Sequence, residues 1–509
     1  MESKIMLSLQ NGSDIRGVAS TGIEGQEINL TPERVTKIAF AFANWLSAKK
    51  STNKTSLNIG IGRDSRISGE TLMQAFSTGI RSCGSTAIDC GIASTPAMYM
   101  STIFEESKFD GAVMLTASHL PFNRNGLKFF TSEGGLDKPD ITAILNGAIE
   151  AEIINTTEGK LKHFDLVSRY SEFLVDTVRK GVNHPGNYEK PLEGFRIVVD
   201  AGNGAGGFYA GKVLQPLGAD TTGSQFLEPD GMFPNHIPNP EDETAMIFIQ
   251  KAVIDNKADL GIIFDTDVDR SAAVNHLGES INRNELIALI GAIIMEEHPG
   301  STIVTDSITS DGLATFITDK LKGKHHRFKR GYKNVINEAI RLNNNGEACW
   351  LAIETSGHAA LKENYFLDDG AYLVTKLLIK AAQMRIAASG QLTQLISALK
   401  VPAESKEFRL KIRVEDFKTY GNDVIEQLRA FVSTVPGWSI VPENYEGIRI
   451  SCDATAGQGW LLLRLSLHDP VIPLNIESEI AGGIDIIKNK LKTFFENYDS
   501  SELDYSSLM

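Results

Sequence analysis

Short apolar runs alternate with amphipathic helical patterns through most of the 509-residue chain, and this alternation constrains the fold more than any other feature. The clearest runs are residues 57–61, 111–115, 197–199, 260–264, 302–304 and 350–353. Continuous apolar strands separated by helices indicate a mainly parallel sheet with helices on both faces. In such sheets ligands bind where loops leave the carboxyl ends of the strands. Functional residues are therefore expected directly after these runs.

The last part of the chain has a different pattern. The segment VPAESKEFRLKIRV, which begins at Val401, alternates polar and apolar residues. That period predicts antiparallel strands, and we expect a separate α+β domain from about residue 400. A chain of this length holds about three or four domains.

Composition narrows the classes of function. The net charge is −14, which disfavours binding to duplex nucleic acid or to an anionic membrane because both need clustered Lys and Arg. No targeting segment is visible at the N-terminus, and the best apolar run, residues 286–295, is far shorter than the ~20 residues that span a bilayer. The four cysteines have neither zinc-site spacing nor the density of a disulfide framework. We therefore predict a cytoplasmic protein, and the sequence does not identify any protein partner.

The strongest local signal is the acidic segment DTDVDR, residues 265–270. It follows the apolar run LGIIF and places Asp265, Asp267 and Asp269 at alternate positions, so all three carboxylates can face one cation. Oxygen ligands of this kind suit Mg²⁺. Arg270 adds a permanent charge that can bind phosphate with two donors. A solvated acidic turn is the alternative interpretation. An EF-hand calcium loop is disfavoured, because the segment lacks the glycine and the distal glutamate that such a loop requires.

The second signal is TASHLPFNRNGLK, which follows the run GAVML. Ser118 at a strand end is exposed to substrate, with His119 beside it and Lys128 in a loop that can fold back. A phosphorylated serine needs such an electropositive environment. A serine hydrolase is the rival interpretation, but the nucleophile-elbow pattern G-x-S-x-G is absent.

Weaker signals lie elsewhere in the chain. GRDSR contains Arg63, and DIRG contains Arg16. Arginines beside glycine at strand exits suit phosphate positioning, although each could be a surface ion pair. Arg464 and Ser466 in RLSLHDP can bind a phosphate, although the segment could be an ordinary loop. A third strand end, CWLAIETSGH, carries polar side chains.

Together these motifs resemble the signature loops of the α-D-phosphohexomutase superfamily. The resemblance rests on TASHLPFNRNGLK, DTDVDR, ETSGH, DIRG, GRDSR and RLSLHDP, with DAGNGAGG and DGMFPNHIPNP matching in the second domain. It implies an α/β fold of three related mixed- or parallel-sheet α/β domains plus a smaller α+β C-terminal domain around a central cleft. The domains would span residues 1–163, 164–282, 283–398 and 399–509, carrying in order the phosphoserine, the metal, the sugar-binding residues and the phosphate-binding loop.

The resemblance also implies roles for individual residues. Ser118 would be the phosphoserine, and its phosphate would complete an Mg²⁺ site formed by the three aspartates. Arg16 and Lys128 would assist proton transfer, and His358 would be a further acid/base candidate. His119, beside the serine, would be a further catalytic residue. The hexose phosphate would be bound by Arg63, Arg270, Lys329, Glu354, Ser356, Arg464 and Ser466. A sugar bisphosphate would serve as activator or phosphoryl donor.

Two positions depart from the family pattern. Leu120 stands where the family usually has Asn, and Leu467-His468 replaces small or hydroxyl residues in the last loop. Fewer donors should hold the distal phosphate less tightly, since a hydrogen bond to a charged group contributes about 1.5–3 kcal/mol. RLSLHDP resembles a subgroup that releases glucose 1,6-bisphosphate, made from glucose 1- or 6-phosphate with fructose 1,6-bisphosphate as donor. We rank that activity slightly above a conventional phosphogluco- or phosphomannomutase. A phosphoglucosamine mutase and a non-catalytic sugar-phosphate-binding protein are the remaining alternatives.

Overall fold

The computed structural model describes residues 2–153, 158–466 and 469–508. It contains two compact units: unit 1 comprises Met1–Leu286 and Ser356–Gln394, and unit 2 comprises Ile287–Thr355 and Leu395–Met509. No helix among the described residues is both long and apolar enough to cross a bilayer.

The first part of unit 1 is a mixed sheet with helices packed on it. Its elements are α1 (Glu2–Ser8), β1 (Gln10–Asn11), β2 (Asp14–Val18), α2 (Pro32–Lys49), β3 (Asn58–Arg63), α3 (Gly69–Ser82), β4 (Thr86–Ile92), α4 (Thr95–Met100), β5 (Gly111–Leu115), β6 (Arg124–Thr131), β7 (Gly134–Gly135), α5 (Lys138–Ile149) and β8 (Leu161–His163). The strand order is β1-β2-β6-β5-β3-β4-β8, with β7 on β6. Strands β3, β4, β5 and β8 pair in parallel, whereas β6 runs antiparallel to β2 and β5.

Local sequence explains how this sheet is covered. Helix α2 begins at Pro32 after Thr31, whose side chain accepts a hydrogen bond from a backbone amide of the first turn. Its buried residues include Val35, Ile38, Phe42 and Leu46, which recur at helical spacing and join the core. Every residue of β5 is buried, as its continuous apolar run predicts.

A second, smaller sheet completes most of unit 1. Its elements are α6 (Leu166–Val182), β9 (Ile197–Asp200), α7 (Glu243–Asn256), β10 (Leu260–Phe264), β11 (Ser271–Asn275) and β12 (Ser280–Ile281). The order is β12-β11-β10-β9, with β9 and β10 parallel and the other pairs antiparallel. Strand β10 is buried throughout, and the apolar face of α7 packs over this sheet.

The next segment of the chain contributes to both units. Its elements are α8 (Arg283–Glu297), β13 (Thr302–Thr305), α9 (Asp311–Thr315), β14 (Lys324–Arg327), α10 (Tyr332–Asn344), β15 (Cys349–Ile353), β16 (Ala359–Leu361), β17 (Leu367–Asp368) and α11 (Gly370–Ile386). In unit 2, β13 pairs in parallel with both β14 and β15. In unit 1, β16 and β17 form an antiparallel pair.

The C-terminal part of unit 2 is an antiparallel sheet with two helices. Its elements are β18 (Glu404–Ile412), α12 (Phe417–Val432), β19 (Trp438–Ile440), β20 (Ile448–Cys452), β21 (Gly459–Leu463), β22 (Val471–Ser478), α13 (Gly483–Phe495) and β23 (Leu503–Asp504). The strand order is β19-β20-β21-β22-β18-β23. The pairing confirms the antiparallel strands predicted from about residue 400. The α/β fold class is confirmed, while the four domain boundaries stay a prediction because the two compact units do not test them.

Candidate active site

Ser118 lies in a buried loop directly after strand β5. Its Oγ donates a hydrogen bond to Oδ2 of Asp265 at 3.0 Å, and the residue is 3% exposed. Its φ of +51° is in the left-handed region, which costs a residue with a Cβ about 1–2 kcal/mol. The backbone amide of Ser118 donates to the hydroxyl of Thr116 at 2.9 Å. The serine predicted as the phosphate carrier is therefore held in a strained conformation and points its hydroxyl at the acidic segment.

The three predicted metal ligands lie together after β10. Asp265, Asp267 and Asp269 are at most 1% exposed, and one oxygen from each lies within 4.8 Å of the others. Oδ1 of Asp267 and Oδ1 of Asp269 are buried and accept no hydrogen bond from the described residues. Burial, with repulsion from Asp269 and Asp267, raises the pKa of Asp265 well above its usual value. Three buried carboxylates with unused oxygens therefore fit a divalent cation.

Two basic side chains offset part of this negative charge. Nζ of Lys128, on β6, donates to Oδ2 of Asp267 at 2.8 Å and to Oδ2 of Asp269 at 2.5 Å. The sequence predicted a loop at Lys128, but the residue lies on strand β6, because this segment pairs with β5. Lys128 is the partner of Met114, so it lies one strand away from the Ser118 loop. Arg270 is 2% exposed and donates from Nε and Nη2 to Oδ2 of Asp265, each at 3.1 Å.

The Arg270 guanidinium also forms hydrogen bonds with Ser118 and His119. Its Nη2 donates to Oγ of Ser118 at 3.2 Å and to Nδ1 of His119 at 2.7 Å. Burial and the charges of Arg270 and Arg16 lower the pKa of His119 to about 2. His119 is thus a neutral ring whose Nδ1 already accepts a hydrogen bond. This arrangement suits orienting a ligand better than removing a proton from Ser118.

His358 has the opposite electrostatic environment. Its Nδ1 donates to Oδ2 of Asp368 at 2.6 Å and lies 3.9 Å from Oδ1 of Asp269. Although burial favours the neutral ring, the Asp368 and Asp269 carboxylates raise the pKa of His358 to about 9. The backbone of His358 also bridges to Arg270. His358 therefore belongs to the same cluster and can act as a proton donor.

The remaining predicted residues of unit 1 differ in their placement. Arg16 pairs with Asp14 at 3.0 Å and donates to the carbonyl of Ala117 at 3.4 Å, beside the serine. Arg63 pairs with Glu70 at 2.9 Å and has no bond to the Ser118 loop among the described residues. Ser356 is buried two residues before His358. The structure therefore brings Arg16 to the cluster but leaves Arg63 in a partly exposed ion pair.

In unit 2, Glu354 and Lys329 lie in loops that meet. An oxygen of Glu354, which is 3% exposed, accepts a hydrogen bond from the backbone amide of Gly331 at 2.6 Å. Gly331 follows Lys329 by two residues, and Lys329 is exposed. The ETSGH and KRGY segments are therefore joined, and the lysine is accessible to a ligand.

Arg464 and Ser466 follow β21 in the same unit. Arg464 is 8% exposed, its Nε has no hydrogen-bond partner among the described residues, and burial lowers its pKa. The amide of Ser466 donates to the carbonyl of Val471 at 3.0 Å, and its hydroxyl accepts from the amide of Asp469 at 3.3 Å. Leu467 and His468, on which the comparison with the bisphosphate-releasing subgroup depends, lie outside the described residues.

Three residues that the sequence analysis did not select contact the cluster. The hydroxyl and amide of Thr95 bond to Asp267, the amide at 2.9 Å, and Asp368 holds His358. Arg66 contacts the Ser118 loop through several carbonyls. Arg66 is the last residue of the GRDSR motif, so the sequence analysis could have selected it. Thr95 and Asp368 have no sequence signal, because tertiary packing brings them to the site.

Models of one known family match consecutive parts of the chain. Three consecutive models match: phosphoglucomutase/phosphomannomutase α/β/α domain I over residues 8–155, domain II over 172–278 and domain III over 282–399. Together they cover most of the chain. The loops bearing Ser118 and the three aspartates fall within domains I and II.

Relatives cover nearly the full length. The chain is 27% identical to a phosphoglucomutase of Neisseria gonorrhoeae over 95% of this chain and 96% of the relative. It is 29% identical to a phosphomannomutase/phosphoglucomutase of Pseudomonas aeruginosa PAO1, over 87% and 88%. Among solved structures, a phosphoglucomutase/phosphomannomutase family protein from Burkholderia thailandensis matches with a TM-score of 0.76 over 97% of each chain at 24% identity, which supports the fold.

The family models follow the chain in order, and the buried serine and acidic segment lie within them. The chain therefore belongs to the α-D-phosphohexomutase superfamily and is an enzyme of the phosphoglucomutase/phosphomannomutase type.

Proposed function

We propose that this enzyme interconverts hexose 1- and 6-phosphates by transferring a phosphoryl group to and from Ser118. The observation that carries the proposal is the 3.0 Å hydrogen bond from Oγ of Ser118 to Asp265, inside a buried triad of carboxylates. A hydroxyl at this place can hold a phosphoryl group beside a cation and two fixed basic groups. Phosphoryl transfer depends mainly on such positioning and charge stabilisation.

The proposed reaction consists of two phosphoryl transfers. In the first, the P–O bond to Oγ of phosphorylated Ser118 breaks, a P–O bond to the free sugar hydroxyl forms, the hydroxyl proton passes to a base, and Oγ takes up a proton. The sugar then carries two phosphates. In the second, the P–O bond of its other phosphoryl group breaks, a P–O bond to Oγ forms as Oγ gives up its proton to a base, and the sugar oxygen that is released takes a proton.

Residues of unit 1 supply the groups that these steps need. Arg270 lies 3.2 Å from the serine oxygen and can bind the phosphoryl oxygens. Lys128 is held by Asp267 and Asp269, and His358 is charged at neutral pH, so both can move protons. Asp265, Asp267 and Asp269 would hold Mg²⁺, which would neutralise charge on the transferring group. A sugar bisphosphate would load Ser118 before the first turnover.

Residues of unit 2 are proposed to bind the substrate. Glu354 would contact sugar hydroxyls, Lys329 would contact the substrate, and Arg464 with Ser466 would hold the phosphate that is not reacting. A guanidinium whose Nε has no partner among the described residues has unused capacity for an anion. The cytoplasmic location stays a prediction.

Release of glucose 1,6-bisphosphate is the second candidate. It is supported by the sequence departure at Leu467 and His468, which removes likely phosphate donors from the loop. The relatives that cover nearly the whole chain are named as mutases, which supports the conventional reaction as the first candidate.

One experiment separates the two candidates. Purified enzyme is incubated with Mg²⁺ and glucose 1-phosphate, with and without fructose 1,6-bisphosphate, and mono- and bisphosphates are resolved by chromatography. A mutase forms glucose 6-phosphate with a catalytic amount of bisphosphate. Stoichiometric accumulation of glucose 1,6-bisphosphate, with slow isomerisation, would instead establish the synthase. No phosphoryl transfer to any hexose phosphate would contradict both. Mannose 1-phosphate in parallel tests the sugar preference.

A further inference from the structure

Arg66 is a fully buried arginine with every N–H group used. It follows β3, and its side chain is 0% exposed. Nη1 donates to the carbonyls of Pro121 and Arg124 at 2.7 and 3.0 Å. Nη2 donates to the carbonyls of Ser118 and Leu120, the latter at 2.7 Å, and Nε donates to Asp64 at 3.2 Å. Its five N–H groups therefore have five acceptors.

Four of those acceptors belong to the loop that carries the serine. The loop runs from Ser118 to Arg124, where β6 begins. Its carbonyls face inward towards one guanidinium, so a single side chain fixes the path of the loop. An arginine placed to bind substrate would keep donors free, and Arg66 keeps none. Its place in the fold therefore indicates a role in positioning rather than in contact with substrate.

The conformation of Ser118 shows what needs to be held. Its left-handed φ of +51° is unfavourable for serine and persists only where the surroundings impose it. Arg66 binds the carbonyl of this residue, and Thr116 accepts from its amide. Both peptide groups around the strained φ are therefore fixed. The resulting backbone points Oγ towards Asp265.

Two further residues hold the guanidinium itself. Asp64 is 0% exposed and accepts from both the side chain and the backbone amide of Arg66, the amide at 2.9 Å. The ring of Phe233, in the DGMFP motif, lies 5.3 Å from the guanidinium carbon. The same motif touches the Arg66 backbone closely, because a Cβ at Gly231 would lie 2.7 Å from its carbonyl carbon.

We infer that Arg66, oriented by Asp64, is the positioning residue that keeps Ser118 in its left-handed conformation with Oγ at the carboxylate triad. The inference rests on the proposed phosphoryl transfer for its kinetic consequence but not for its structural one. Loss of the guanidinium frees four carbonyls and lets Ser118 relax to an ordinary φ. The hydroxyl then leaves the position from which a phosphoryl group can be received.

The test compares Arg66→Met and Arg66→Lys with Arg34→Met in the full chain. Arg34 is a matched control because it pairs with Glu2 and donates to the carbonyl of Asn29, in the same unit but away from the loop. We expect Arg66→Met to lower kcat with glucose 1-phosphate about a hundred-fold while KM stays within about three-fold. Arg66→Lys, which keeps the charge with fewer donors, should recover part of the loss. Arg34→Met should lower only the melting temperature.

Hydrogen exchange of the 118–124 peptide is the second readout, and it does not need activity. Exchange should become faster in Arg66→Met and less so in Arg66→Lys, with no change in Arg34→Met. The inference is wrong if exchange in this peptide is unchanged in Arg66→Met. It is also wrong if Arg66→Met and Arg34→Met lose the same melting temperature and kcat falls no more in Arg66→Met than in Arg34→Met. If wild type shows no phosphoryl transfer but exchange still rises, the proposed function fails and the positioning role stands. Should Arg66→Met not fold, Arg66→Lys decides by the same criteria.

Discussion

The Ser118 cluster in unit 1 and the Arg464–Ser466 segment in unit 2 hold their functional groups in different ways. In the cluster, the serine hydroxyl, Lys128 and Arg270 each bond to a carboxylate of the acidic segment. In the second segment, Nε of Arg464 has no partner among the described residues, and within the same part of the chain Ser466 bonds to Asp469 and Val471 of its own turn.

We interpret this difference as a division between residues of the chemical step, in unit 1, and residues that hold the distal phosphate, in unit 2. Groups that make and break bonds must be fixed in advance, because reorganisation during the reaction raises the barrier. Groups that hold a distal phosphate need spare hydrogen-bonding capacity until the ligand arrives. We therefore expect changes in the unit 1 cluster to lower kcat, and changes in the unit 2 segment to raise KM.

The largest expected effect is that of Ser118→Ala. Without the oxygen that carries the phosphoryl group, turnover should fall at least about a thousand-fold. The melting temperature should change little, because one hydrogen bond contributes about 1 kcal/mol. Coupled assays of glucose 6-phosphate formation measure the loss, and Ser101→Ala, a buried serine elsewhere in unit 1, serves as control. Substantial activity in Ser118→Ala would show that Ser118 does not carry the phosphoryl group, and would contradict the role given to the unit 1 cluster.

The next effect concerns the carboxylates. Asp267→Asn replaces an acceptor of Lys128 and Thr95 with an amide and removes one charge from the triad. We expect the Mg²⁺ concentration for half-maximal activity to rise roughly a hundred-fold, a loss typical of altered metal sites. EDTA should abolish wild-type activity, and Mg²⁺ should restore it. Asp255→Asn, in an exposed pair with Lys251, should leave the Mg²⁺ dependence unchanged. Full wild-type activity in EDTA would contradict the metal assignment.

Most functional residues of the unit 1 cluster were predictable from the sequence, whereas most residues that hold them in place were not. Ser118 and the three aspartates follow strands whose apolar runs are continuous, so these strand ends could be located. Lys128 lies on β6, whose sequence RNGLKFFT is not a continuous apolar run, and the sequence predicted a loop there. Thr95 and Asp368 come from a helix start and a short hairpin, and no local pattern places them beside Asp267 and His358. The fold class was predictable from periodicity, whereas the division into two compact units depends on long-range packing that periodicity does not report.

A smaller effect tests the unit 2 segment. Arg464→Gln removes a charged donor worth about 1.5–3 kcal/mol, so KM for glucose 1-phosphate should rise about 10–100-fold. The change in kcat should stay within about three-fold, and more glucose 1,6-bisphosphate should be released per turnover. Steady-state kinetics and chromatography measure both, with the partly exposed Arg429→Gln as control. A fall in kcat with KM unchanged would show that Arg464 acts in the chemical step and would remove the distinction between the two regions.

The smallest effect concerns a buried pair in unit 1 that belongs to the quoted motifs but not to the cluster. Nε2 of His236 lies 3.0 Å from Oδ1 of Asp200, and both side chains are fully buried. Burial opposes protonation, but the Asp200 carboxylate raises the pKa of His236 above its usual value. Its stabilising effect is therefore fully present below about pH 6.5 and is lost as the pH rises through the folded-state pKa.

His236→Gln should lower stability by about 1–3 kcal/mol at pH 6 and by less at pH 9. Thermal unfolding of both proteins at the two pH values measures the difference. Activity per folded molecule should be unchanged. A larger destabilisation at pH 9 would mean that the histidine is neutral in the folded protein.

The phosphoryl group is proposed to pass through Ser118, and this step can be measured directly. The direct measurement loads the enzyme with a sugar bisphosphate, removes the excess, and confirms phosphorylation of Ser118 by mass spectrometry. Glucose 1-phosphate and Mg²⁺ are then mixed in by rapid quench. We predict that phosphate leaves Ser118 at a rate at least equal to kcat and appears on the sugar in equal amount. Phosphate that stays on Ser118 while product forms, or product formed without any phosphate on Ser118, would contradict it.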